Sequence, residues 1–90
     1  MPPTDEDVLS IMQTLTAADG ARVDSTAEAA ARMRAFLIAD EEILDMLRTA
    51  ERVTQEADGV RIHSPIAREL GVRVWVTRAA CILVLKVAGR

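Results

Sequence analysis

The sequence contains few of the residues that aromatic, redox or metal sites require. Its only aromatic side chains are Phe36 and Trp75, its only cysteine is Cys81 and its only histidine is His63. Platforms that stack bases or sugars need several rings, disulfide frameworks need paired cysteines, and transition-metal sites usually gather three or four ligands. We therefore expect no disulfide framework, no metal site and no binding of single-stranded nucleic acid.

The sequence also lacks the arrangements of residues that catalysis uses. Its four glycines are scattered and form no phosphate-binding loop, and His63 beside Ser64 lies in no recognisable nucleophile elbow. The acidic residues 40–42 suit the first turn of a helix and do not have the spacing of a calcium loop. We expect no enzyme activity, no catalytic residue, no cofactor and no small-molecule substrate.

No segment has the composition of a signal peptide or of a complete membrane span. The N-terminal residues are acidic where a signal peptide would be basic. The most apolar stretch, residues 72–88, is interrupted by Arg73, Arg78 and Lys86 and is shorter than about 20 apolar residues. The expectation is a protein that does not contact a membrane and is cytoplasmic by default.

What the sequence does contain is enough apolar material for one small domain spanning residues 1–90, and an uneven distribution of charge. Half of the residues are hydrophobic and the net charge is −3. Residues 1–59 hold thirteen acidic and five basic side chains, whereas residues 60–90 hold six basic and one acidic. The basic part is a candidate contact surface for phosphate or an acidic partner. The alternative is that the two parts attract one another, within the fold or between copies.

The acidic part predicts three amphipathic helices. Thr4 and Asp7 form a capping-box start for the first helix, which should end near residue 17 or 18, before Asp19 and Gly20. A loop should then continue through Val23.

The second predicted helix begins with a capping box of Ser25 and Glu28 and ends near Ala39, because three acidic residues follow that suit a new first turn. The third helix carries its apolar stripe through Val53 and ends before Gly59.

The basic part is predicted to be rich in strands. Residues 60–62 indicate a short strand and residues 64–70 a helical turn, after which apolar residues alternate from position 72. A hairpin over 72–88 with a turn at 78–80 is favoured over one long helix across the same residues. The predicted fold class is therefore α+β, with three N-terminal helices followed by a short strand, a helical turn and a C-terminal hairpin.

Residues 63–72 resemble the first helix and turn of helix-turn-helix DNA-binding proteins. The match places a small residue, Ala67, four positions before a glycine turn at Gly71, with apolar residues around both. The resemblance implies an alternative, all-α fold with a helix-turn-helix at 63–82, although residues 74–76 are apolar where the family is polar. A winged-helix variant would use the predicted hairpin as its wing. The helix-turn-helix resemblance implies that three side chains face the DNA groove: Arg73, Thr77 and Arg78.

The preferred function is a non-enzymatic protein–protein interaction or assembly module that self-associates. A layer of helices can cover only one face of the apolar run 79–85, and we expect the last strand to be an open edge or to pair with another chain. The partner is a second copy or another protein. The alternative is a small DNA-binding regulator that binds double-stranded DNA through residues 63–82. The candidate partner-binding residues are Arg61, Arg68, Arg73, Trp75 and Arg78.

Overall fold

A computed structural model describes residues 2–17 and 20–89. Within this part of the chain the fold is α+β, as predicted, but strands and helices are interleaved instead of following one another as two blocks. A short 3-10 turn at Pro65–Ala67 precedes the fourth strand. The elements in chain order are helix α1 (Asp5–Thr16), strand β1 (Arg22–Ser25), helices α2 (Ala27–Ala35) and α3 (Asp40–Arg48), and strands β2 (Arg52–Glu56), β3 (Gly59–His63), β4 (Leu70–Val76) and β5 (Cys81–Gly89).

The five strands form one sheet in the order β1-β5-β4-β3-β2. Strand β1 runs parallel to β5, and the other neighbours are antiparallel. The pairing of β4 with β5 contains a bulge, because Arg73 pairs with Lys86 while the next residue, Val74, pairs with Val84. The extra residue, Leu85, bends the strand locally.

All three helices pack on the same face of the sheet. Side chains alternate between the two faces of a strand, and the buried residues of each strand belong to the same cluster as the buried residues of the helices. The core is therefore a single layer between the helices and one sheet face. Its fully buried members include Ile43, Met46, Leu47, Ile62, Val72, Val74, Ile82 and Val84.

The predicted start of the first helix is confirmed. The Thr4 side chain accepts a hydrogen bond from the backbone N–H of Asp7 at 3.1 Å, and the Thr4 N–H donates to the Asp7 carboxylate at 3.3 Å. The predicted stop signal includes Asp19, which lies outside the described residues. The predicted cap of the second helix is wrong by one residue. Thr26, not Ser25, accepts the bond from Ala29 N, because Ser25 belongs to β1.

Two strands were assigned to other structures by the sequence patterns, so the predicted order of elements is wrong. Strand β1 lies where a loop was expected, and β2 lies where the third helix was expected to continue. The helix ends at Arg48, and Val53 packs into the core from β2. Asp58 lies in the two-residue connection between β2 and β3, and Gly59 begins β3, so the pair does not end a helix. An Asp-Gly pair is common in both situations.

The C-terminal hairpin is confirmed, and the all-α alternative is wrong. Residues 63–82 contain the end of β3, the 3-10 turn, β4 and the start of β5, so they form no helix-turn-helix. Gly71 lies inside β4, where it pairs with Ala88. The expectation that the last strand is an open edge or pairs with another chain is wrong for residues 81–84, which pair with β1 on one side and β4 on the other. No described strand pairs with residues 85–89 on the β1 side. None of the described helices is long and apolar enough to cross a membrane.

Candidate interaction surface

The second face of the sheet is not covered by any helix of the described residues. We call this surface the open face. The strand residues on this face are those that alternate with the buried ones, and all of them except Gly59 are at least partly exposed. The open face consists of Arg22 and Asp24 (β1), Arg52, Thr54 and Glu56 (β2), Gly59, Arg61 and His63 (β3), Gly71, Arg73 and Trp75 (β4), and Cys81, Leu83, Leu85, Lys86 and Ala88 (β5).

One part of the open face is apolar. Trp75 is 52% exposed and pairs directly with Leu83, which is partly exposed. Leu85, the bulge residue, reaches across β4 toward Gly59, where a Cβ atom would come within 2.7 Å of its Cδ1. An exposed indole beside aliphatic side chains is typical of the central part of a protein interface.

The apolar surface continues around the end of the sheet. A cavity of about 150 Å³ lies between α1 and the ends of β3 and β4, and it is lined only by apolar residues. Ile11 at its rim is 55% exposed. Its lining residues are Val8, Ile11, Met12, Leu15, Val60, Trp75 and Val76.

The charge of the molecule is divided between its two layers. The three helices carry eight acidic and three basic side chains, whereas the five strands carry five basic and two acidic. All seven charged strand residues lie on the open face, because each alternates with a residue directed toward the helices. The helical surface is therefore acidic and the open face is basic on balance.

An ion-pair network crosses the open face from β2 to β4. The Glu56 carboxylate lies 2.9 Å from Arg61 Nε and 2.8 Å from Arg73 Nη2. Asp58 lies 2.6 Å from Arg73 Nη1. The Arg73 side chain is only 15% exposed, and its buried Nε has no hydrogen-bond partner. Arg73 shares a face with Trp75, as the alternation predicted, but its charge is balanced within the fold.

His63 lies on the same face, in surroundings that disfavour the charged form of its ring. Its Nε2 lies 2.9 Å from Thr54 Oγ1, within hydrogen-bond distance. Burial lowers the pKa of His63 below 6.5, and the charges of Arg52 and Arg61 lower this pKa further, against an opposing effect of Glu56. The ring is therefore mainly neutral at pH 7 and does not add to the basic charge of the face.

The structure brings together three of the five residues that the sequence singled out. Arg61, Arg73 and Trp75 lie on neighbouring strands of the open face. Arg68 and Arg78 lie beyond opposite ends of β4. The rise per residue along the strand places these two ends roughly 20 Å from one another, so Arg68 and Arg78 do not form one patch. Sequence analysis did not single out four further residues of this face: Arg22, Arg52, Leu83 and Lys86. Of these, Lys86 is the hardest to assign, because the bulge at Leu85 shifts the alternation of β5.

Comparison with known proteins returned no match to any protein-family model, to any curated protein or to any solved structure.

Proposed function

We propose that the protein is a non-enzymatic assembly module that binds a second copy of itself through the open face. The observation that carries the proposal is a sheet with one face packed against helices and the other face uncovered, with Trp75, Leu83 and Leu85 on it. Covering a fully exposed leucine contributes about 1.5–3 kcal/mol, and these partly exposed leucines contribute less; an aromatic anchor at the centre of an interface contributes about 2 kcal/mol or more.

Charge complementarity supports a second copy as the partner. The acidic helical surface and the basic open face lie on opposite sides of the same sheet, so they cannot meet within one chain. They can meet when the open face of one copy lies on the helices of the next. Such an arrangement is heterologous, because different surfaces of the two copies are in contact. Packing two open faces together would instead bring basic side chains toward one another.

Double-stranded DNA is the rival partner, but the open face has little unpaired positive charge with which to bind it. Two of its five basic side chains, Arg61 and Arg73, are already paired with carboxylates. A phosphate backbone would have to compete with these ion pairs. DNA binding would also weaken steeply with added salt, whereas an interface centred on apolar contacts would weaken much less.

The test is the molecular mass in solution over a dilution series from about 1 μM to about 1 mM, a range that covers weak and moderate affinities. We expect the wild-type mass to rise with concentration. Leu83→Gln should shift this rise to concentrations at least about tenfold higher, because the substitution removes apolar contact area without changing charge. Ile66→Gln is the matched control, since Ile66 is 57% exposed and lies in the 3-10 turn, on neither the open face nor one of the acidic helices.

The control should associate as the wild type does. A wild-type protein that remains monomeric over the whole range would refute the proposal, and so would equal effects of the two substitutions.

A further inference from the structure

The basic end of the open face contains a shallow depression of about 180 Å³. Its base is formed by small residues, with Gly71 paired to Ala88 across β4 and β5. Its walls are cationic. The lining residues are Arg61, Gly71, Arg73, Lys86, Ala88 and Gly89.

Three basic side chains line this depression in one row across the sheet. Arg61 pairs with Arg73, which pairs on its other side with Lys86. Like charges at directly opposite positions repel one another unless carboxylates separate them. Glu56 and Asp58 supply two carboxylates, both on the Arg61 and Arg73 side.

One positive charge in the row is left without a partner. Lys86 is exposed and makes no ion pair with any described residue. Among the described residues, the depression therefore has an excess of one positive charge. A carboxylate matches this excess, whereas a phosphate dianion would leave a negative charge uncompensated.

The helical surface of a second copy can supply that carboxylate. In α1 two of the three first-turn acids are engaged, since Asp5 accepts from the Gln55 backbone and side chain and Asp7 accepts from Thr4 N. Glu6 is the one left in that turn, and the first turn of α2 also holds one acid, Glu28. In α3 the first-turn residues Glu41 and Glu42 are exposed and form no ion pair within the described residues.

We infer that the depression is a carboxylate-binding site that receives an acidic side chain from the first turn of α3 of a second copy. This inference rests on the proposed self-association. It adds the partner surface and the contact residue, and it makes the assembly directional, with the open face of one copy on α3 of the next.

The site itself can be tested without assembly, using acetate as the probe. Amide resonances of the Leu83→Gln variant are followed by NMR during titration with sodium acetate against sodium chloride at the same ionic strength. We expect saturable shifts at Gly71, Lys86 and Ala88 with acetate only. Lys86→Gln should weaken acetate binding at least tenfold, whereas Arg34→Gln, which removes an exposed cation of α2, should leave it unchanged.

Gly71→Val provides a second test that does not alter charge. A Cβ at Gly71 would lie 3.7 Å from the Ala88 carbonyl oxygen and 3.8 Å from the Ala88 Cβ, so a side chain fits and occupies the base of the depression. We expect this variant to fold and to lose the acetate-specific shifts. Acetate shifts that equal those with chloride, or that persist unchanged in Gly71→Val and Lys86→Gln, would overturn the carboxylate site.

Assignment of the partner surface is tested by exchanging charges. Lys86→Glu and the double variant Glu41→Lys/Glu42→Lys should each be monomeric at concentrations where the wild type associates. An equimolar mixture of the two should associate, because the reversed charges again attract. The control is Arg34→Glu, which reverses an exposed charge of α2 but retains both proposed surfaces, and it should associate by itself as the wild type does.

A mixture that behaves as the sum of its components would overturn the assignment to α3. If acetate binds while the wild type never associates, the proposed function fails and the assignment to α3 of a second copy fails with it, whereas the carboxylate site itself stands. If the wild type associates while acetate does not bind, the carboxylate site is wrong and self-association stands.

Discussion

Replacing Gly59 with alanine should destabilise the fold strongly, although it adds only one methyl group. The backbone at Gly59 has φ +147°, a conformation that residues with a side chain rarely adopt, and forcing such a residue into it costs about 1–3 kcal/mol. The new Cβ would also lie 2.7 Å from Leu85 Cδ1 and 3.2 Å from the Val74 carbonyl oxygen. Overpacking of this kind adds about 1–3 kcal/mol, because the carbonyl belongs to a neighbouring strand.

The contribution of the Leu85 contact can be isolated by a double-mutant cycle. We expect Gly59→Ala to lower the free energy of unfolding by about 2–6 kcal/mol in the wild type, and by less in the Leu85→Ala background, where the closest contact is absent but the backbone strain and the Val74 carbonyl contact remain. Gly71→Ala is the control in the same sheet. It should be neutral or stabilising by up to about 1 kcal/mol, since alanine loses less conformational freedom on folding.

The assay is urea unfolding at pH 7 of the four variants and the wild type, followed by far-ultraviolet circular dichroism. A Gly59→Ala protein within about 0.5 kcal/mol of the wild type would refute the reasoning, because it would place that position among ordinary surface sites. An equal cost in the Leu85→Ala background would refute the contribution of the contact.

Two further predictions concern the polar part of the open face. Arg73→Met should lower the free energy of unfolding by about 1–3 kcal/mol, because Glu56 and Asp58 lose a charged donor; urea unfolding that matches the wild type would contradict this. The lowered pKa of His63 means that the unfolded chain binds more protons than the folded chain below pH 6.5, so stability should fall as the pH is lowered through this region. His63→Gln should flatten that part of the stability curve, and parallel curves for the two proteins would contradict the prediction.

The elements that could be predicted from the sequence are those whose signal is local. The capping box at Thr4 and Asp7 requires only residues three positions apart, and both of its hydrogen bonds are present. The proline after Ser64 places the start of the short 3-10 turn, where the Ser64 hydroxyl accepts from Ile66 N. The alternation over residues 72–76 gives β4 and the shared face of Arg73 and Trp75.

The elements that could not be predicted depend on distant partners. Strand β1 has four residues, and its pairing with β5 joins positions almost sixty residues apart, so nothing local distinguishes it from a loop. For β2 the local signal is ambiguous, because a helical stripe and a strand can both include Val53, and Asp58-Gly59 can end either.

The candidate surface was only partly predictable for the same reason. The charge division between the two parts of the chain is visible in the sequence, but its projection onto opposite sides of one sheet follows from the tertiary packing. The ion pairs that balance Arg73 come from β2 and the adjoining turn, which the sequence assigned to a helix. The open face therefore carries less free positive charge than the sequence indicates.

The central claim is that a second copy covers the open face, and Trp75 allows a direct measurement of it. Trp75 is the only tryptophan of the chain and is 52% exposed. Its fluorescence emission and its quenching by acrylamide can therefore be measured over the same dilution series as the mass. The account predicts that at high concentration the emission shifts to shorter wavelength and quenching decreases, in parallel with the mass, and that Leu83→Gln moves both changes to higher concentration. Emission and quenching that stay constant while the mass rises would show that the copies associate through another surface, and would contradict the account.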